Sequence, residues 1–177
     1  MLSQKSTMKT KLENMYLQKR ISYGYRKVIN MMLLSGVISI IAIGILFANM
    51  MNYVNNVNAA DQAVKTCRIN INTAARNIRE MALNDDESTY DSYEEKVKEL
   101  LGIVDTQMNV LHGTGVITED LYTEYKGAFT DWGTIGYEIM EEIKAGKEDQ
   151  AVDGILNKCT PALNSLAEIS KKLDALT

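Results

Sequence analysis

The stretch from Val28 to Met51, VINMMLLSGVISIIAIGILFANMM, holds no charged residue. As a helix rising about 1.5 Å per residue it covers roughly 36 Å, enough to cross a hydrocarbon core of about 30 Å with some tilt. Its polar members are Asn30, Ser35, Ser39 and Asn49. The asparagines lie near the ends, and serine hydroxyls can bond back to helical carbonyls. The run is too long without charge for the core helix of a soluble domain. The sequence therefore predicts a membrane-spanning helix, and every other segment has to be placed on one side of it or the other.

Charge decides the sides. Before the span stand Lys5, Lys9, Lys11, Lys19, Arg20, Arg26 and Lys27 against Glu13 alone, whereas the whole chain carries −4. Positive charge beside a span is retained in the cytoplasm. Residues 1–27 thus read as a basic cytoplasmic tail, 28–51 as the transmembrane helix, and the acidic 52–177 as an extracytoplasmic domain at the cell membrane. A cleaved signal peptide would have a shorter apolar core and a small-x-small site; Phe47-Ala48-Asn49 is a poor one. In the tail, residues 1 to about 12 are expected to be disordered. Leu12, Met15, Tyr16, Lys19 and Tyr23 have the spacing of an amphipathic helix at the inner leaflet. The basic charge there suits anionic lipid. The acidic main domain carries no nucleic-acid motif.

With one proline in 177 residues, the composition favours helix over a sandwich or barrel. Met50, Val57, Val64, Ile71 and Ile78 recur every seven residues, with Tyr53, Ala60, Cys67, Ala74 and Met81 three behind them. This is an a/d seam, and no Gly or Pro interrupts it from Leu46 to Leu83. Asn84-Asp85-Asp86 should end that helix. Tyr90, Val97, Val104 and Leu111 mark a second, broken at Gly113-Thr114-Gly115. Thr118 is an N-cap for a third, which carries Tyr125, Trp132, Ile139 and Ile143 and ends at Ala145-Gly146-Lys147. A fourth shows Val152, Cys159, Leu166 and Leu173 in one row and Ile155, Ala162, Ile169 and Leu176 in the other. Pro161 lies inside it, removes one backbone bond and should kink or locally loosen it. The predicted fold is all-α: the transmembrane helix continues into an up-down-up-down four-helix bundle with helices at about 52–84, 87–112, 118–145 and 148–177.

This order of basic start, span and four outer helices resembles the sensor region of bacterial methyl-accepting chemotaxis receptors. Two segments resemble it as well, Ile71 to Leu83 (INTAARNIREMAL) and Ile155 to Leu163 (ILNKCTPAL). The resemblance implies a ligand-sensing domain that works as a homodimer through its first and fourth helices. Its ligand would be a small molecule or a periplasmic-type binding protein, and it would signal by displacing the fourth helix. It also implies a second span, a HAMP linker and a signalling coiled coil beyond Thr177. The same architecture occurs in sensor histidine kinases and cyclases, and a structural or adaptor single-span protein is a third reading.

Catalysis finds no support. His112, the single histidine, has no partner pattern and reads as a surface or capping residue; Gly113 and Gly115 do not make a phosphate loop. No metal cluster or cofactor motif is present, and Phe129, Trp132 and Tyr125 have the spacing of core packing. The residues of interest are elsewhere. In the aspartate-sensing relatives, arginines of the first helix grip ligand carboxylates across a dimer seam. Here that helix carries Arg68, Arg76 and Arg79 among Asn70, Asn72 and Asn77, at a different spacing. A guanidinium fork suits a carboxylate. The bland alternative is a solvated face paired with Glu80, Glu148 or Asp149. If there is a pocket, the expectation is Arg68 and Asn72 facing Thr160 and Asn164 of the fourth helix, with Pro161 as a hinge. Cys67 lies 16 residues past Met51 and Cys159 18 before Thr177. Counted along their helices they fall at similar heights, roughly 24 and 27 Å. They form either a close thiol pair or a disulfide, the latter allowed outside the cytoplasm.

Overall fold

The computed structural model describes residues 16–176. The start of the basic tail, with its expected disorder and with Leu12 and Met15 of the amphipathic row, lies outside the described residues. Those described are helical, with no strand among them. In chain order they form α1 (Leu17–Ala82), a 3-10 turn (Glu87–Thr89), α2 (Tyr90–Gly113), α3 (Glu119–Lys144), α4 (Glu148–Gly154), a π turn (Ile155–Cys159) and α5 (Thr160–Asp174). The chain divides between Met51 and Asn52 into two units.

The first unit is the N-terminal part of α1, where every described side chain is exposed. Its most apolar window has a mean hydropathy of 2.5, and the helix is long and apolar enough to cross a membrane. Within it the Ser35 hydroxyl donates to the Met32 carbonyl and the Ser39 hydroxyl to the Ser35 carbonyl, both at 2.9 Å. These bonds satisfy the hydroxyls inside the helix and leave an apolar exterior. Near its start, Lys27 Nζ lies 5.3 Å from the centroid of the Tyr23 ring.

The second unit is a bundle of four helical stretches around one core. The α1 seam supplies Ala60, Val64, Cys67, Ile71, Ala74, Ile78 and Met81, all buried, whereas Tyr53 at its start is exposed. Against it pack Val97, Val104, Met108 and Leu111 of α2, and Tyr125, Trp132, Ile139 and Ile143 of α3. The small residues of α1 let large ones opposite come close. Gly136 of α3 does the same in reverse: a Cβ there would stand 3.0 Å from Ile78 Cδ1.

Pairs of contacts give the helix directions. Arg68 meets Asp174 and Arg79 meets Thr160, so α1 and α5 run antiparallel. Lys172 pairs with Glu124 while Gly154 lies against Ile139, so α3 is antiparallel to the α4–α5 stretch. Lys144, at the end of α3, bonds Asp91 and Glu94 at the start of α2.

The connections follow from local chemistry. Asp86 accepts from the backbone N–H and hydroxyl of Ser88 at 3.1 and 2.7 Å, capping the 3-10 turn. Thr118 Oγ1 accepts from the Leu121 N–H at 3.4 Å, with Glu119 and Asp120 in the positive first turn of α3. The α3 C-terminus closes with Gly146 at φ 68° while the Lys147 N–H reaches the Glu142 carbonyl at 3.0 Å, a geometry that glycine adopts without a Cβ penalty.

The fourth stretch departs from the expected pattern. It is one continuous helical stretch, Glu148–Asp174, locally widened: φ and ψ stay helical through Gly154, Ile155, Cys159 and Thr160. Pro161 has no N–H to give, and its ring would press on the carbonyl four residues back. The chain responds with a π turn just before it: the Thr160 N–H reaches the Ile155 carbonyl, five residues away. A π turn takes in one extra residue. The seam counted backwards from Cys159 therefore slips by one. Ala151 is buried where the heptad demanded Val152, and Val152 is 46 % exposed.

Candidate ligand-binding site

The slip leaves a groove. Val152, Ile155, Leu156 and Thr160 on one side, and Arg79, Ala82 and Leu83 at the end of α1 on the other, line a cavity of about 230 Å³. Leu83 and Leu156 flank it as exposed leucines, at 83 % and 62 %. Behind it Gly154 packs on α3: a Cβ there would stand 3.0 Å from Ile139 Cγ1. Thr160 organises the polar end. Its hydroxyl donates to the Ile155 carbonyl at 2.8 Å and accepts from Arg79 Nη2 at 3.4 Å.

The three arginines differ in what holds them. Arg68 is bound to the Asp174 carboxylate at 2.7 Å, and Arg76 to Glu80 of its own helix at 3.4 Å. Arg79 has a hydroxyl and, among the described residues, no carboxylate within salt-bridge distance. It is a half-buried cation at an apolar cavity, in the last turn of α1, where the helix dipole favours positive charge. Its guanidinium also acts on Cys159. Burial pushes that thiol's pKa up, against the opposing effects of the Trp132 indole and the Arg79 charge.

The expected grouping of Arg68 and Asn72 with Thr160 and Asn164 does not form. Register is the reason: Asp174, not Thr160, is level with Arg68. Arg68 and Asn72 instead share a shallow cleft of about 40 Å³ with Leu163, Leu166, Ala167 and Ser170. That is room for about one water. Asn72 donates to the Arg68 carbonyl of its own helix at 2.8 Å. Asn164 is exposed and lines neither cavity. Pro161 is exposed too, at the start of α5, and acts through the π turn that precedes it.

The cysteines are free and buried. They do not form the expected pair. Cys67 adjoins Arg68 and Cys159 adjoins Thr160, so about a dozen residues of α1, roughly 18 Å, separate the two levels. Equal heights would require Met51 and Thr177 to be level, whereas Asp174 is level with Arg68. The Cys67 thiol donates to the Val104 carbonyl at 3.7 Å. Burial pushes its pKa up to about 12 despite the opposing influence of the Tyr125 hydroxyl. At the far hairpin, His112 Nε2 bonds Glu119 at 2.8 Å and its ring stacks on Tyr122 at 4.3 Å.

Of the nominated residues, then, Arg79 and Thr160 stand together at the larger cavity. Sequence reasoning missed its apolar wall. The available signal was Pro161 falling inside a heptad pattern, which a phase change upstream can accommodate.

No curated protein and no solved structure matches the chain. The family described as four helix bundle sensory module for signal transduction matches residues 14–177. The chain belongs to this family of sensory modules, the sensor domains of methyl-accepting chemotaxis-type receptors.

Proposed function

We propose that this chain is the ligand-sensing part of a transmembrane chemotaxis receptor and works by binding, not catalysis. The helix directions support an up-down-up-down bundle. The basic residues before Val28 support a cytoplasmic N-terminus and an extracytoplasmic bundle. The exposed Ile69 on the outer face of α1 supports a homodimer through the first and fourth helices. One observation carries the mechanism. The groove holding Arg79 is bounded on one side by the continuous α1 and on the other by the π turn, the one irregular point of the fourth stretch.

A small molecule there touches both helices at once. If it fits one arrangement of the fourth stretch better than another, its differential affinity shifts the balance between them, and α5 moves relative to α1. The test is a distance. Spin labels replace Glu80 of α1 and Lys158 of the π turn in the full chain reconstituted in lipid. A ligand that stabilises the protein against heat should shift the label separation by an ångström or more. A ligand that binds and leaves the separation unchanged removes the displacement mechanism.

A further inference from the structure

We infer that the groove beside the π turn takes a small monocarboxylate with a compact apolar body, the size of benzoate or hexanoate, and discriminates against free amino acids. This rests on the groove being the sensing site. Its wall is Ala82, Leu83, Val152, Ile155 and Leu156, all aliphatic, and its single charge is the Arg79 guanidinium. The planar fork matches a carboxylate with two parallel N–H donors.

Arg79 is also the arginine free to do this. Arg68 and Arg76 are already occupied by Asp174 and Glu80. The Arg79 bond to the Thr160 hydroxyl, at 3.4 Å, uses one N–H of the guanidinium and leaves the others for an anion. An α-amino acid brings an ammonium as well. No carboxylate lines the cavity among the described residues. The one polar side chain there besides Arg79, the Thr160 hydroxyl, is neutral and offers an ammonium a lone pair but no opposing charge. The ammonium would lie against leucine and valine side chains, beside the Arg79 cation and without a paired charge, which is unfavourable.

Size agrees. A cavity of about 150 Å³ lined by aliphatic and aromatic side chains accommodates benzene; here about 230 Å³ is present, enough for a ring and a carboxylate group. The exposed Leu83 and Leu156 then gain cover from the ligand's apolar body.

The experiment uses the full chain in lipid nanodiscs, with titration calorimetry and thermal shift. The probes are benzoate, hexanoate, hexanol, hexylammonium and leucine. Benzoate and hexanoate should bind and raise Tm, while hexylammonium and leucine should not. Arg79→Gln should weaken carboxylate binding about tenfold to a hundredfold, the range of a charge-assisted hydrogen bond. Arg79→Lys should lose less, and Arg76→Gln should change nothing. The proposal is overturned if neither carboxylate binds, if leucine binds as tightly as hexanoate, or if Arg79→Gln, folded by its unchanged Tm, keeps full affinity. Carboxylate binding without a change in the Glu80–Lys158 label distance would leave this ligand class standing and remove the displacement mechanism. A distance change driven by leucine alone would do the reverse.

Discussion

Cys67 is enclosed by α1, α2 and α3, and that enclosure fixes its chemistry. Its ordinary pKa of 9.0 rises to about 12 in the folded chain. The sign follows directly. Below pH 9 the thiol is protonated folded or unfolded and nothing changes. Above it the unfolded chain ionises while the folded chain holds its proton, so stability falls. The slope is about 1.4 kcal/mol per pH unit between pH 9 and 12. Tyr125, raised chiefly by its own burial, adds to the decline at higher pH. Denaturation followed across this range should show the loss, and Cys67→Ala should reduce its slope, leaving the smaller part that comes from Cys159. Iodoacetamide should label neither cysteine until the chain is unfolded. Gly136 makes a different demand. Gly136→Val would drive side-chain atoms against Ile78 and should destabilise by about 1–3 kcal/mol, read as a lower Tm. Burial of Cys67, Tyr125 and Cys159 was legible in the hydrophobic spacing; that of Gly136 was not. Which arginine lacked a carboxylate was not, because that depends on which residue of a distant helix arrives at the same level.

At the scale of elements, α2 and α3 are where local signals and structure agree most closely. Thr118 caps α3 as its side chain and acidic first turn require, and Gly146 ends it with the positive φ that glycine tolerates. The fourth stretch is where a local signal was present but its consequence was not local. Proline inside a helix can be answered by a kink or by a wider turn, and the choice rests on packing. Here Gly154 against Ile139 and the Thr160 hydroxyl on the Ile155 carbonyl favour the wider turn. Pro161→Ala restores a backbone donor and removes the ring. It should stabilise the stretch, by less than the ~3 kcal/mol that separates the two residues in a helix interior. Amide exchange from Ile155 to Thr160 should slow. Unchanged exchange would mean that packing alone holds the π turn.

For the second unit as a whole, the helix register governs which residues can act together. Two contacts, Arg68 with Asp174 and Arg79 with Thr160, set it. In a background with both native cysteines replaced by alanine, Asn72→Cys with Ala167→Cys should cross-link within one chain under mild oxidation, since both line the same cleft. The native Cys67 and Cys159 should remain thiols under the same treatment, read by gel mobility without reductant. Helix count, order and seam could be read from spacing because each is a property of one segment. Register could not, because hydrophobic rows tolerate sliding by a heptad and only specific polar pairs fix the height.

The π turn also has a meaning for the history and engineering of such chains. It behaves as a one-residue insertion in an otherwise regular helix. Deleting a single residue, Asn157 or Lys158, would let the stretch close as a regular α-helix with Ala151 seven residues before Cys159 and still in the core. Closing the π turn into α-helix with no residue removed would instead turn everything upstream by about 100° relative to α5, bring Val152 into the core and close the cavity beside Arg79 without any of its lining residues having been changed. Splices with related helices should accordingly be counted outward from Thr160 on one side and from Gly154 on the other, never straight through.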